Sequence, residues 1–89
     1  MTTYALTVLT PDKELFSGEV ISLVLRGHEG DLAVFAGHVP FVTTLRPRKC
    51  VVTLSDEKEL EWEVTSGILD VTKEGVKLLI GQKTEETHE

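Results

Sequence analysis

Four side chains between positions 28 and 38 have the chemistry of a metal site: His28, Glu29, Asp31 and His38 offer imidazole and carboxylate, which suit zinc and other divalent ions. Their spacing matches no ligand motif, because such sites set a close ligand pair about two to four residues apart within a fixed pattern. The segment reads as a polar loop with two solvated histidines. Gly27, Gly30 and Gly37 do not form a phosphate loop, since no helical segment follows to aim its amino-terminal amides at an anion. They permit tight turns with positive φ. Ser17, Ser22, Ser55 and Ser66 stand in no nucleophile-elbow context. Cys50, between Lys49 and Val51 in a strand-like run, reads as a structural thiol. Arg46, Arg48 and Lys49, divided by Pro47, form the one basic cluster; it reads as an exposed turn, with contact to an acidic partner as the second reading. Glu59, Glu61 and Glu63, and the pair Glu85-Glu86, are solvated faces, because nothing encloses a carboxyl to raise its pKa. No catalytic residue and no metal ligand follows from these patterns.

The elements that would position these groups are strands. Glu59 to Thr65 alternates strictly, with Leu60, Trp62 and Val64 on one side and Glu59, Glu61 and Glu63 on the other. Further β-like runs are Tyr4 to Thr10, Val20 to Arg26, Phe41 to Leu45, Cys50 to Leu54, Ile68 to Thr72 and Val76 to Ile80. Turn chemistry separates them at Pro11-Asp12, Ser17-Gly18, Gly27 to Gly30, Gly37 to Pro40, Pro47, Ser55-Asp56 and Lys73 to Gly75. No long window carries a helical stripe, and the one helix-like stub is the tail, where Thr84 precedes Glu85 as a cap would. One domain spans 1–82, and the polar residues 83–89 are expected to fray. Val20 and Val24 lie opposite Ile21, Leu23 and Leu25, and Val51 opposes Cys50 and Val52, so some strands are apolar on both faces. Two accounts stand: such strands lie at the centre of the packing, or a partner covers the second face.

With 89 residues the chain holds one core. Hydrophobic residues at 40% and charged residues at 27% match ordinary globular usage. A net charge of −6 argues against nucleic acid, which needs a basic footprint. Apolar stretches such as Leu23-Val24-Leu25 fall far short of the roughly 20 residues that cross a bilayer. No secretory signal precedes Tyr4, and a lone cysteine fits a reducing, cytosol-like compartment.

Thr10-Pro11-Asp12, Leu15-Phe16-Ser17-Gly18, Gly27-His28-Glu29-Gly30, Gly37-His38-Val39-Pro40 and Thr65-Ser66-Gly67-Ile68-Leu69-Asp70-Val71 occur in that order over nearly the whole chain. In this order they resemble the amino-terminal domain of the epsilon subunit of F-type ATP synthases. The resemblance implies an all-β fold, a flattened antiparallel β-sandwich of about ten short strands with no substantial helix. It implies a non-catalytic rotor subunit of the central stalk that links the gamma subunit to the membrane c ring, couples ion flow to ATP synthesis, and touches the catalytic alpha/beta head only indirectly. It implies no cofactor, and a place peripheral to the energy-coupling membrane, on the cytoplasmic side in bacteria or the equivalent side in an organelle. Membrane association would come only through the complex. By the same resemblance, Thr10, His38 and Thr43 match gamma neighbours, and Glu29, Gly30 and Asp31 match the loop that faces the ring, whose polar loops carry arginine in the family. Ala33 and Arg48 stand where the family commonly has glycine, and Ser66 replaces the first of two glycines. Family members continue into a helical hairpin that restrains hydrolysis; Gln82 to Glu89 is too short for one, so hairpin inhibition is expected to be absent if the natural chain ends there. A free-standing β-sandwich binding module is the competing reading. A metal-dependent enzyme on His28, His38 and Asp31 is the third.

Overall fold

A computed structural model describes residues 2–81. The tail, with the expected cap at Thr84 and the domain boundary at 82, lies outside the described residues. Eight strands follow one another without a helix among the described residues: β1 (Tyr4–Leu9), β2 (Glu14–Gly27), β3 (Gly30–Phe35), β4 (Phe41–Leu45), β5 (Arg48–Leu54), β6 (Glu59–Val64), β7 (Ser66–Val71) and β8 (Val76–Gly81). The all-β sandwich is as expected, with eight strands where about ten were implied. One pair departs from the antiparallel rule, β1 running parallel to β8 with Leu6 opposite Val76 and Leu9 opposite Leu79.

The largest departure from the sequence reading is β2. Ser17-Gly18 is turn-like in residue type, yet both lie inside this 14-residue strand, with Gly18 opposite Leu6 and Ser17 opposite Thr7. The period of two across Phe16, Gly18 and Val20 outweighs the turn chemistry of two residues. The register then shifts between Val20 and Ser22, so Ile21 acts as a bulge and reverses the phase of alternation. Val20 thereby joins Leu23 and Leu25 in the core, which accounts for the apparent two-sidedness of this run. Gly30–Phe35 starts on turn residues and gives no strand signal, yet it pairs with β2 from Gly27↔Gly30 to Ser22↔Phe35.

The first half of β2 pairs with β1 and the second with β3 and β5. Two layers result, β4-β7-β8-β1 and β3-β2-β5-β6, joined through this shared strand. The body is flattened, with extents of 44 × 28 × 20 Å, as a sandwich with layers about 10 Å apart requires. Leu6, Leu69 and Leu78 from one layer meet Leu23, Val34 and Val52 from the other, all with no exposure. Each such side chain stabilises the fold by about 1.5–3 kcal/mol relative to exposure. The Tyr4 hydroxyl donates to the Val34 carbonyl at 2.7 Å, tying β1 to β3 across the layers.

Candidate functional site

At one end of the sandwich, β2 and β3 are joined by the two-residue turn His28-Glu29, with Gly30 at φ 130°. Only glycine adopts that conformation without strain. A Cβ at Gly27 would approach Leu32 Cδ2 to 2.7 Å, so the hairpin closes tightly there. Arg26 and Asp31 are register partners, and Arg26 Nε donates to Asp31 Oδ1 at 2.8 Å. Arg48 Nε approaches the same oxygen at 3.4 Å. Arg46 Nε donates to the His28 carbonyl at 2.9 Å, and the His28 amide donates to Thr43 Oγ1 at 3.3 Å. The hydrogen bond from Arg26 is the largest influence and holds the Asp31 carboxyl below its usual range; desolvation opposes it, and the charges of Arg26 and then Arg48 add smaller help. Of the three expected ring-facing residues, Glu29 is exposed and in no ion pair among the described residues, Gly30 shapes the turn, and Asp31 is engaged within its own chain.

Thr10, His38 and Thr43 do not gather into one cluster. Thr10 caps the β1–β2 turn, its amide donating to the Lys13 carbonyl at 2.8 Å. His38 lies in the β3–β4 connection, its ring 4.9 Å from that of Phe41. Leu6 and Phe41 are level across β8 and β7. Thr10 lies four residues beyond Leu6 and three strand spacings away from β4, about 20 Å from the His38 end of that layer. Thr43 follows His38 in sequence and lies on β4, opposite Leu69.

The outer face of this layer carries a feature that motif reading did not single out. Thr44, Ile68, Leu79 and Leu9 form one cross-strand row, and Val42, Asp70, Lys77 and Thr7 the next. Val42, Ile68 and Leu79 are 67%, 44% and 43% exposed. The available signal was Leu78-Leu79-Ile80, three apolar residues in succession on a strand that can bury only alternate ones. Gly67 allows the close approach that sets this row, because a Cβ there would overlap the Leu79 carbonyl oxygen.

The remaining sequence candidates form no reactive centre. No group of three His, Cys, Asp or Glu side chains gathers to hold a metal among the described residues. The Cys50 thiol is fully buried, and burial pushes its pKa up to about 12, so it is not a nucleophile near neutral pH.

Residues 3–85 match the family described as ATP synthase, Delta/Epsilon chain, beta-sandwich domain. The chain is 34% identical to an ATP synthase epsilon chain of Clostridium kluyveri over 74 residues, 83% of this chain and 56% of that one. It is 38% identical over 79 residues to the ATP synthase epsilon chain of a Bradyrhizobium strain, covering 89% and 58%. It therefore spans a little over half the length of these curated relatives. A chain in the Euglena gracilis mitochondrial ATP synthase superimposes with a TM-score of 0.82 at 24% identity, over 90% of this chain and 51% of that one. One in the central stalk and c ring of Tetrahymena thermophila mitochondrial ATP synthase gives 0.74 at 15% identity, over 85% and 61%. At those identities the likeness is one of fold.

Proposed function

The chain belongs to the delta/epsilon β-sandwich family of ATP synthase, and from that membership we propose that it is a non-catalytic rotor subunit of the central stalk, with residues 1–82 as its β-sandwich domain. The observation that carries this reading is the exposed apolar row of Ile68 and Leu79, with Val42 in the row beside it, on one outer face of the sandwich. A water-soluble domain gains nothing from such a row, and a permanent partner that covers it gains the apolar burial. The gamma subunit is that partner, with Thr10 and His38 at opposite ends of the covered layer and Thr43 on its edge strand. The turn Glu29-Gly30-Asp31 points to the c ring, so that ring rotation driven by ion flow reaches the catalytic head through gamma. The subunit makes and breaks no bond itself, and it meets the energy-coupling membrane, on the cytoplasmic or equivalent organelle side, through the complex.

Affinity purification of the tagged chain from gently solubilised native membranes, with mass spectrometry of what accompanies it, tests the reading. Recovery of gamma, the catalytic head and the ring is expected. Recovery of the chain alone at low salt, where charged contacts persist, would favour a free-standing β-sandwich binding module.

A further inference from the structure

The three arginines of the chain, Arg26, Arg46 and Arg48, come from β2, the β4–β5 connection and β5 and meet beside the β2–β3 turn. We infer that they form a binding site for a single phosphate group, supplied by inorganic phosphate or by the phosphodiester of a lipid headgroup. The site is built from this chain alone, so the inference does not rest on the stalk reading.

Backbone pairing brings the three together. Gly27 and Leu45 are register partners, and the Arg46 amide donates to the Arg26 carbonyl at 2.9 Å. Each guanidinium is then held through its Nε, Arg26 and Arg48 on one oxygen of Asp31 at 2.8 and 3.4 Å, and Arg46 on the His28 carbonyl at 2.9 Å. Arg48 also donates from Nη1 to the Lys49 carbonyl at 3.0 Å. The terminal nitrogens of Arg26 and Arg46 make no hydrogen bond among the described residues. A guanidinium fixed at Nε presents those nitrogens as a planar fork, which matches two oxygens of a phosphate. Because the arms are already ordered, little side-chain entropy is lost when the anion arrives.

The charge balance favours one phosphate over a long polyanion. Three arginines outnumber Glu29 and Asp31, so this end is positive in a chain of net charge −6. Lys49 adds little, since its ammonium lies 3.3 Å from Glu61. Glu59, Glu61 and Glu63 stand exposed along β6 and would repel a nucleic-acid backbone that ran on past the turn, whereas a single phosphate meets the arginines alone.

The test titrates the isotope-labelled chain with sodium phosphate at neutral pH and constant ionic strength, with sodium chloride as the control, and follows its arginine Nε–Hε and backbone amide signals. Saturable shifts of the arginine signals and of the amides from His28 to Asp31 are expected with phosphate alone. Arg46→Gln should weaken binding about tenfold, the scale of one lost charge-assisted hydrogen bond. Arg46→Lys keeps the charge without the fork and should recover only part of that loss. Lys73→Gln removes an equal charge from the β7–β8 connection at the opposite end of the sandwich and should change nothing. The amide spectra show whether each variant is folded. Sedimentation with phosphatidylglycerol–phosphatidylcholine vesicles identifies the source: binding that phosphate displaces and Arg46→Gln loses assigns a lipid headgroup, and phosphate binding without vesicle binding assigns the free anion. Equal responses to chloride and phosphate overturn the inference, as does the absence of a saturable arginine shift. Equal losses in Arg46→Gln and Lys73→Gln overturn it too, because the anion then answers only to overall charge. Capture of gamma is measured separately, so failure here leaves the stalk reading standing.

Discussion

The two outer faces of the sandwich are each built from four strands, yet they present a different balance of apolar and charged side chains. On the β4-β7-β8-β1 layer, Val42, Ile68 and Leu79 stand in the open. On the β3-β2-β5-β6 layer, the outward residues of β5 and β6 pair as Lys49 with Glu63, Val51 with Glu61 and Thr53 with Glu59. Three glutamates on the edge strand β6 also discourage pairing with another chain, a common protection of sheet edges. The core between the layers is satisfied, so neither pattern is needed for folding. Phe35 on β3 is the exposed large apolar side chain of the second face, at 55%; the first face, with Val42, Ile68 and Leu79, is the one proposed to meet gamma.

Placing charge on the apolar face should break this contrast most severely. Ile68→Asp and Leu79→Asp should each weaken capture of gamma by about 2–4 kcal/mol, the range for central interface positions. Both residues are a little under half exposed in the free chain, so its denaturant midpoint should move less; an equal loss of stability and binding would show that the row is structural. Gly67→Ala acts on the backbone beneath the same face. Its added methyl meets the Leu79 carbonyl, and unfolding should show a cost of about 1–3 kcal/mol, as overpacking does. A neutral result would mean that β7 and β8 can part without harm.

The bond between the layers offers a smaller test. Tyr4→Phe removes the hydroxyl that reaches Val34 and should cost about 1 kcal/mol in urea unfolding. Burial raises the pKa values of both Tyr4 and Cys50, the latter to about 12. A folded-state pKa above the unfolded value gives stability that is present below the unfolded pKa and lost as pH rises above it. For Cys50 the loss should run from about pH 8.5, the unperturbed thiol value, towards 12. Cys50→Ala should flatten that part of the stability–pH profile, and an unchanged profile would show that the thiol stays neutral for another reason. On the charged face, Glu61→Gln should shift stability by no more than about 0.5 kcal/mol, since its pair with Lys49 is exposed. A larger loss would mean that this face does more than meet water.

The strict alternation of Glu59 to Thr65 and the apolar runs at Phe41, Ile68 and Val76 made most of the fold legible, because each strand has one buried face. Ile21 was illegible as a bulge, since an extra residue in a strand leaves no composition signal and shows itself only through the partner's register. β3 was illegible for a related reason. Its strand state comes from pairing with β2 across a tight turn, which tertiary contact supplies more than the propensity of Gly30, Asp31 and Ala33 does. At the β2–β3 turn the residue positions could be read, but their charges could not be paired. Arg46 and Arg48 lie about twenty residues from the turn in sequence, and only the fold brings them to His28 and Asp31.

The claim that one face is reserved for a partner is tested most directly by amide hydrogen exchange of the chain, alone and with purified gamma subunit. Slower exchange in β4, β7 and β8, with no change in β5 and β6, is the predicted result. Protection confined to β5 and β6, or no protection in any strand at saturating gamma, would contradict it.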